Sequence, residues 1–546
     1  MLSTASNSPI KDTSGTHESN ADMAQLIATL REAFAEGEVL TDDNTCRLYA
    51  QDVFTCDLPA ILVLRPGNVD ELQAAQRALH QYNVPCIPHG GGMSYTGGLV
   101  PESSGWAVID LGRMNRVLDI NEEDMTVTVE CGCSWKALHE ALKDTGLRTP
   151  YWGTLSGSRA TVGGGLSQNS IFWGSGQHGT AADSALSLAV VTADGSLLET
   201  GSAAQKQATP FFRHFGPDLT GVFCADTGAL GIKARATLRL IPELPAREYL
   251  AFDFSTAEGT IAAMSDIARA GLASECFGFD PFLQRLRLKR QGMASDIKAL
   301  AGVVKNSGSI LDGVKAGAKV AMAGRRYMDD VDFSVQIIVE DRTVAAAEDR
   351  AESVRTLVEK HGGREIENSI PKITRANPFG PVNSMLGPEG ERWLPIHGLF
   401  PHSKFQQAYA ATEALFEEHR ERNDQLGIGT GYLFATISTN ACVLEPVFFW
   451  PDEWFDIHKD AVEADHLARL NESAKNPEAR EQVNLLRRTL IDLYSELGGV
   501  HMQIGRSYHY RDALKEEPGQ LIDAIKAAVD QQNLMNPGSL GLRSKS

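Results

Sequence analysis

The stretch His89-Gly-Gly-Gly-Met-Ser-Tyr-Thr-Gly-Gly98 contains five glycines in ten residues. It follows the apolar run Val84-Pro-Cys-Ile-Pro88 and precedes a second strand-like run at 106–110, so it joins one predicted strand to another. Because glycine permits positive φ and has no Cβ, successive N–H groups in such a loop can converge on an anion such as phosphate. The pattern lacks the Gly-Lys-Ser/Thr of a Walker loop, and it does not open a helix as a dinucleotide fingerprint does. The loop therefore predicts phosphate binding of another type, with ordinary tight turns as the alternative.

Three further glycine-rich elements follow along the chain. They read Ser156-Gly-Ser-Arg-Ala-Thr-Val-Gly-Gly-Gly165, Trp173-Gly-Ser-Gly-Gln-His-Gly-Thr180 and Asp226-Thr-Gly-Ala-Leu-Gly-Ile232. In order and spacing, the four elements resemble the FAD-binding domain of the vanillyl-alcohol oxidase and p-cresol methylhydroxylase (PCMH-type) flavoprotein superfamily. The resemblance covers nearly the whole chain, and it is nearest to the branch of the D-lactate dehydrogenases and the glycolate oxidase flavin subunit.

This resemblance implies a fold, a cofactor and its contacts. The implied fold is α+β, with a PCMH-type FAD-binding domain and an antiparallel-sheet cap domain for the substrate. The implied cofactor is FAD, with the first loop on the pyrophosphate, the 161–164 region beside the flavin and the 231–232 region on the nucleotide half. The residues implied to contact FAD are Pro88, His89, Gly90, Gly91, Gly92, Met93, Ser94, Gly97, Gly98, Gly153, Ser156, Thr161, Gly163, Gly164, His178, Gly179, Gly231 and Ile232.

Length and composition exclude several classes of protein. A chain of 546 residues is too long for one compact core, so two or more domains are expected. The formal net charge of −19 argues against non-specific binding to nucleic acid or to anionic membranes. No run of eighteen apolar residues occurs, so no membrane-spanning helix is expected. The eight cysteines are scattered, and the close pair Cys131-Gly-Cys133 lacks the spacing of zinc or redox motifs, which favours a reducing, cytoplasmic setting.

The chain is expected to divide where its composition shifts. The first residues are rich in Ser, Thr and Asn, without the basic start and apolar core of a signal peptide. Prolines at 242 and 245 mark the boundary between the two predicted domains. The expected parts, in chain order, are a disordered tail (1–22), the FAD-binding domain (23–245), the cap domain (246–510) with a helical insertion near 283–323, and a C-terminal segment that returns to the FAD domain (511–546).

Candidate catalytic side chains come from two polar clusters of the predicted cap. The first cluster is a ten-residue segment predicted to be a strand, with His501 on one face and with Arg506 and Tyr508 on the other. Oxidation of an alcohol needs a proton acceptor as hydride leaves carbon, which suits a histidine, while an arginine can hold a carboxylate or phenolate. His397 and Arg375 are the candidates from the second cluster. A satisfied structural histidine and solvated arginines are the alternative interpretation.

Two departures from the hydroxy-acid branch limit what the resemblance implies. Many of those relatives carry paired histidines that bind a divalent metal, whereas this sequence has Gly427 and Phe434 at the corresponding positions. No metal site is therefore expected. Met93 stands where some members attach FAD covalently through a histidine of the first loop, so covalent attachment stays an open alternative.

Together these features predict an FAD-dependent oxidoreductase, a dehydrogenase or oxidase, that transfers hydride from a hydroxy acid or alcohol to flavin. The aromatic residues Phe448, Phe449 and Trp450 favour a para-substituted phenol as the main alternative substrate. A non-catalytic flavin-binding subunit of a larger complex is a second alternative. The expected partners are a small-molecule substrate and an electron acceptor, which is dioxygen, a quinone or a cytochrome, and homo-oligomerisation is left open.

Overall fold

The structure is a computed structural model that describes residues 18–35, 37–290 and 331–542. It confirms the α+β class, because helices pack on sheets that are mainly antiparallel. Most of the predicted tail lies outside the described residues. So does most of the predicted insertion near 283–323, apart from the helix Pro281–Arg290.

A four-stranded sheet positions the first glycine loop. Its order is β1-β2-β4-β3, with β2, β4 and β3 parallel and β1 antiparallel to β2. The connection from β2 to β3 is the helix Val69–Gln81, which begins where the Asn68 side chain accepts a hydrogen bond from Glu71 N (3.0 Å). The glycine loop therefore leaves the carboxyl end of a buried parallel strand. The strands are β1 (Glu38–Leu40), β2 (Leu62–Arg65), β3 (Cys86–His89) and β4 (Ala107–Asp110).

A five-stranded antiparallel sheet completes the FAD domain, in the order β5-β6-β10-β8-β9. The second glycine element leads into the short helix Val162–Gln168, whose N-cap Thr161 accepts a hydrogen bond from Gly164 N (3.1 Å). Both glycine elements thus meet between the two sheets. The strands, with the small pair β7 and β11, are β5 (Val117–Asn121), β6 (Thr126–Glu130), β7 (Leu147–Arg148), β8 (Ala185–Val191), β9 (Leu197–Glu199), β10 (Ile232–Arg239) and β11 (Ile241–Pro242).

The cap is an antiparallel sheet, as predicted, and it has eight strands. Its order is β15-β12-β14-β13-β18-β19-β16, and β17 also pairs with β19. The strands are β12 (Ala246–Phe254), β13 (Glu275–Phe279), β14 (Phe333–Asp341), β15 (Arg364–Glu365), β16 (Arg392–Pro395), β17 (Gly398–Phe400), β18 (Gly429–Ile437) and β19 (Ala441–Trp450).

The two faces of the cap sheet have different partners, because side chains alternate along a strand. One face packs against long helices, and Phe434 and Phe448 belong to the core on that side. The other face carries a separate apolar cluster that includes Phe277, Leu433 and Phe449. The helices on the first face are Ala257–Arg269, Val344–Lys360, His402–Glu418 and Pro477–Glu496.

The remaining described helices are short or lie at the edges of the two sheets. None of the described helices is both long enough and apolar enough to cross a membrane. The α-helices are Glu18–Ala33, Asp43–Leu48, Trp135–Leu142, Ser175–His178, Leu219–Val222, Ser369–Ala376, Arg420–Leu426, Asp456–Ala461, Ala464–Leu467 and Glu516–Val529, and the 3-10 turns are Ala181–Ser184, Gly201–Ala204, Asn383–Met385, Arg511–Ala513 and Ser539–Gly541.

The predicted strand at 501–510 is wrong. Residues 501–510 form a series of turns, with Gln503 and Gly505 at positive φ (51° and 57°). A Cβ on Gly505 would lie 2.2 Å from the Thr96 carbonyl oxygen, so this turn packs directly on the first glycine loop. The opposite-face argument for His501 and Arg506 therefore does not apply, since it required an extended backbone.

The C-terminal segment contacts the same loop. Asn536 donates from Nδ2 to the carbonyl oxygens of Gly98 (3.0 Å) and Thr227 (2.8 Å), and its N–H donates to Cys86 O (2.8 Å). One buried amide side chain thus ties the chain end to two of the glycine elements.

Candidate active site

A cavity of about 290 Å³ lies between the glycine elements and the apolar inner face of the cap sheet. Segments that are far apart in the sequence, from residues 88–99 to residues 502–503, contribute to its wall, as a large ligand requires. The residues with an implied FAD contact that line it are Pro88, His89, Gly90, Gly91, Gly92, Met93, Ser94, Gly98, Ser156, Thr161, Gly163, Gly164, Gly231 and Ile232.

Four of the residues implied to contact FAD are absent from the described lining of this cavity. Gly97 donates its N–H to Asp52 Oδ2 (2.7 Å), and Gly153 packs within an aromatic cluster. His178 and Gly179 lie at the end of a short helix. Burial lowers the pKa of His178 to about 4, so the imidazole is neutral at pH 7 and adds no positive charge near the cavity.

The first loop offers unused donors to the cavity. Among the described residues, no hydrogen bond uses the backbone N–H of Gly90, Gly91 or Gly92 as its donor. His89 and Gln168 also line the cavity, and Oε1 of Gln168 is buried without a hydrogen-bond partner in the described part of the chain, whereas Nδ1 of His89 lies 3.9 Å from Asp110 Oδ1. Since buried polar groups nearly always have partners, this wall fits a polar, phosphate-bearing ligand such as FAD.

Close packing between the glycine elements explains why glycine is needed at several positions. A Cβ on Gly91 would lie 2.0 Å from the carbonyl oxygen of Arg159, and one on Gly90 would lie 2.6 Å from Thr161 Oγ1. At Gly97 the nearest atom would be 3.5 Å away, but the backbone has φ of 76°. Glycine is thus needed at position 91 because the two loops touch there, and at position 97 because the backbone has a positive φ.

Buried charges hold the first loop from behind. Asp52 accepts hydrogen bonds from the N–H groups of Gly97 (2.7 Å) and Phe54 (2.8 Å), while burial raises its pKa above the ordinary value. Arg487, from the long helix Pro477–Glu496, donates to the carbonyl oxygen of Tyr95 (3.0 Å). These contacts orient the loop before any ligand binds.

The cap supplies a largely apolar wall opposite the loop. Phe277, Leu433, Val447 and Phe449 line the cavity from three neighbouring strands. Of the three aromatic residues predicted near this site, only Phe449 faces the cavity. The other two, at positions 448 and 450, belong to the core on the helix-facing side of the sheet.

The predicted base, His501, lies in a buried cluster outside the described cavity lining. Its Nδ1–H donates to the carbonyl oxygen of His397 (2.7 Å), its ring stacks on Tyr508 at 4.3 Å, and Nε2 has no partner among the described residues. His397 donates from Nε2 to the Met502 carbonyl (2.8 Å), and its Nδ1 lies 3.3 Å from the Tyr508 hydroxyl. Burial lowers the pKa of His501 to about 4 and that of His397 to about 3. The cavity wall here is formed instead by the neighbouring Met502 and Gln503.

The two predicted arginines make structural contacts. Arg506 donates to the carbonyl oxygens of Val100 (3.0 Å) and Pro537 (2.8 Å), joining the first loop to the C-terminal segment. Arg375 lies 2.8 Å from Glu340 in a buried ion-pair cluster. Neither guanidinium is in the described lining of the cavity, so the geometry does not support either as a carboxylate ligand.

Comparison with known proteins identifies the domain around this cavity. Residues 60–201 match the family model described as an FAD binding domain. This chain is an FAD-binding protein. The cofactor that the glycine elements implied is thereby confirmed.

Curated relatives and solved structures extend the comparison for this FAD-binding protein. The "Probable D-lactate dehydrogenase, mitochondrial" of Danio rerio is 32% identical over 258 residues, which is 46% of this chain and 50% of that protein. The "Glycolate oxidase subunit GlcD" of Bacillus subtilis (strain 168) is 29% identical over 208 residues, which is 38% of this chain and 43% of that protein. The chain thus spans about half the length of the curated relatives it matches.

The fold extends beyond the matched domain. A crystal structure of p-cresol methylhydroxylase with substrate bound matches with a TM-score of 0.70 at 15% identity, over 96% of this chain and 97% of that chain. The FAD-binding protein therefore has the predicted PCMH-type fold, including the cap.

Several polar residues of the cavity wall were not singled out from the sequence. Tyr95 is buried, its phenol hydrogen-bonds with Gln503, and its ring meets Trp393 edge-on at 5.6 Å. Glu275 and Glu445 line the same cavity from cap strands. Glu445 could have been found from the sequence, because it is an acid within an apolar strand. Side chains alternate along a strand, so Glu445 shares a face with Val447 and Phe449, which line the cavity.

Proposed function

We propose that this FAD-binding protein is an oxidoreductase that removes hydride from the hydroxyl-bearing carbon of a hydroxy acid or alcohol. The observation that carries the proposal is a single cavity bounded by the glycine elements on one side and by the apolar cap face on the other. Such a cavity can hold a cofactor and a small molecule in contact. The matched relatives are named for the oxidation of lactate and glycolate, which supports this class of reaction.

The chain's own residues would bind, orient and enclose the reactants. The amides of Gly90, Gly91 and Gly92 would donate to the phosphate groups, and the bracing by Asp52 and Arg487 would keep that loop in place. FAD, when bound, would supply the hydride acceptor. The apolar cap residues would exclude water from the reacting carbon.

A para-substituted phenol is the alternative substrate, favoured by a specific observation. Phe172, Phe277, Trp393 and Phe449 all line the cavity, and aromatic walls suit an aromatic ring. The fold match to p-cresol methylhydroxylase is compatible with this alternative but carries no information on substrate by itself. A non-catalytic flavin-binding subunit is less favoured, because the cavity continues beyond the glycine elements into the cap.

The remaining parts of the proposal concern partners and location. The proposed electron acceptor is dioxygen, a quinone or a cytochrome, and homo-oligomerisation is left open. All eight cysteines are free, which supports the proposed reducing, cytoplasmic setting. Cell fractionation with an antibody to the chain tests the location, and recovery in a membrane or organelle fraction would contradict it.

The decisive experiment follows the colour of the bound flavin. The purified chain should carry one FAD, and its absorption should bleach under anaerobic conditions with one member of a panel of D-lactate, glycolate, D-2-hydroxyglutarate, benzyl alcohol and p-cresol. Bleaching by a hydroxy acid or an alcohol supports the main proposal, whereas bleaching by p-cresol alone selects the alternative. If the protein carries one FAD but no compound of the panel bleaches it, the proposal that this site is catalytic is contradicted.

A further inference from the structure

An acid of the cap sheet lies where the two walls of the cavity meet. Strand β13 presents Glu275 and Phe277 on one face, because side chains alternate along a strand, and both residues line the cavity. Phe277 belongs to the apolar cluster on the inner face of the sheet. The N–H of Gly174, from the glycine element at 173–180, donates to Glu275 Oε1 (2.9 Å). The Glu275 carboxyl therefore lies beside both the cap wall and the glycine elements.

The hydrogen bonds of this carboxyl suit a group that gains and loses a proton. Ser274 Oγ lies 2.5 Å from Glu275 Oε2 and 3.0 Å from the carbonyl oxygen of Ile338, which also accepts from the Ser274 N–H (2.9 Å). A hydroxyl has a single hydrogen, so it donates to one of its two acceptors at a time. When Glu275 is ionised, the Ser274 hydroxyl donates to it. When Oε2 carries a proton, Glu275 donates to Ser274 and the Ser274 hydroxyl donates to Ile338, so the hydrogen bonds stay satisfied in both protonation states.

The titratable groups that face Glu275 set the strength of this carboxylate as a base. Burial first, and then the charge of Glu340, raise the pKa of Glu275 above its ordinary value, while the charges of Arg375 and Arg148 oppose that rise. Those two arginines bind Glu340 directly (2.8 and 2.6 Å), and Tyr249 is the further titratable group near Glu275. A carboxylate with a raised pKa takes a proton more readily than a solvated one does.

We propose that Glu275 is the catalytic proton acceptor of this site and takes the proton of the substrate hydroxyl as hydride leaves the carbon that bears it. The inference rests on the proposed function and names a residue for the step that His501, outside the described lining, does not serve. The O–H and C–H bonds of the substrate break and a C=O bond forms, with the proton passing to Glu275 and the hydride to the acceptor that FAD supplies. Each oxygen of the ionised carboxyl accepts one of the hydrogen bonds from Gly174 and Ser274, which leaves a lone pair on each for the substrate hydroxyl.

The test follows anaerobic flavin reduction by stopped-flow absorption, using the FAD-loaded full chain and the substrate that the panel identifies. Glu275→Gln should slow reduction by about 10²–10⁴-fold, while the substrate Kd from the concentration dependence of the rate changes by less than about threefold. Glutamine keeps both hydrogen bonds, since its carbonyl oxygen can accept from Gly174 and its amide can donate to Ser274. Because the ionised carboxyl is the active form, the wild-type rate should rise with pH through the raised pKa of Glu275 to a plateau, and the residual rate of Glu275→Gln should be independent of pH in that range.

The control is Glu413→Gln, which makes the same change in net charge at a carboxylate that accepts from the Tyr432 hydroxyl (2.5 Å), outside the described cavity lining. It should keep the wild-type rate of flavin reduction and its pH dependence. The proposal is overturned if Glu275→Gln reduces the flavin at the wild-type rate or keeps the wild-type pH dependence. It is also overturned if Glu445→Gln causes the loss and Glu275→Gln does not.

A measurement without substrate checks that Glu275 titrates. Its pKa in the folded chain is raised above the ordinary 4.5, so between these two pH values the folded chain binds a proton that the unfolded chain does not. The free energy of unfolding should therefore fall as the pH rises from 4.5 through the raised pKa, and Glu275→Gln should remove that part of the fall. Parallel Tm curves for wild type and Glu275→Gln across this range would contradict the proposal.

A second variant covers a failure of Glu275→Gln to load FAD. Glu275→Asp keeps a carboxyl on the same face of β13, so its flavin reduction should be slower than that of wild type but should still rise with pH, and a pH-independent rate overturns the proposal. Failure of the proposed function would look different. If no compound of the panel bleaches the loaded wild type, the proposed function and this inference both fail, whereas equal bleaching of wild type and Glu275→Gln removes this inference alone.

Discussion

Replacing Gly91 with alanine should separate the first two glycine elements and weaken FAD binding. The added Cβ would lie 2.0 Å from the Arg159 carbonyl oxygen and 2.5 Å from its carbon, both of which are backbone atoms. Ordinary carbon–oxygen contacts begin at ~3.3 Å, so the loops must move apart by roughly 1.3 Å. Overpacking of this kind costs about 1–3 kcal/mol. If that cost falls on the FAD-bound conformation, the Kd for FAD should rise by about 5- to 150-fold.

The assay is titration of the apoprotein with FAD, followed by quenching of flavin fluorescence, with thermal unfolding measured beside it. Gly146→Ala is the control, because Gly146 has a positive φ (70°) with no atom within 4 Å of the added Cβ and lies outside the described cavity lining. It should cost about 1–2 kcal/mol of stability without changing the Kd for FAD. A Gly91→Ala protein that binds FAD with the wild-type Kd would refute the argument from loop contact.

Three further predictions concern catalysis, acid stability and metals. His501→Ala should slow anaerobic flavin reduction by less than about tenfold, because the ring lies outside the described cavity lining, and a loss of about 10²–10⁴ would show direct proton acceptance instead. Burial lowers the pKa of His397 from 6.5 to about 3, so below pH 6.5 the unfolded chain binds a proton that the folded chain does not. The free energy of unfolding is therefore unaffected by this group above pH 6.5 and falls as the pH drops from 6.5 toward 3. His397→Asn should flatten that fall in a series of Tm measurements, and an unchanged slope would contradict the assignment. Activity should survive a chelator, because Gly427 and Phe434 offer no metal ligand, and loss restored by zinc or manganese would show a site elsewhere.

From the sequence, the glycine elements indicated close approach of the backbone, and the family resemblance that they carry implied FAD and the α+β fold. Glycines at 90–92 and 163–165 allow close approach of the backbone to other atoms. Such positions can be recognised in the sequence before the approaching atoms are known. The largely apolar runs at 248–254 and 442–450 likewise indicated strands of a separate sheet, because such a run is a local property of the sequence.

The packing of distant segments sets which polar side chains meet the cavity. The residues at 501–510 were predicted to be a strand, but positive φ at Gln503 and Gly505 turns the chain, so His501 packs on Tyr508 outside the described lining. Glu445 faces the cavity because it lies on the face of the cap sheet that packs toward the glycine elements. Asp52, 45 residues before Gly97 in the sequence, accepts a hydrogen bond from the Gly97 N–H. Local sequence patterns indicate strands and close approaches of the backbone. Which side chains point into a cavity depends on how segments distant in the sequence pack together.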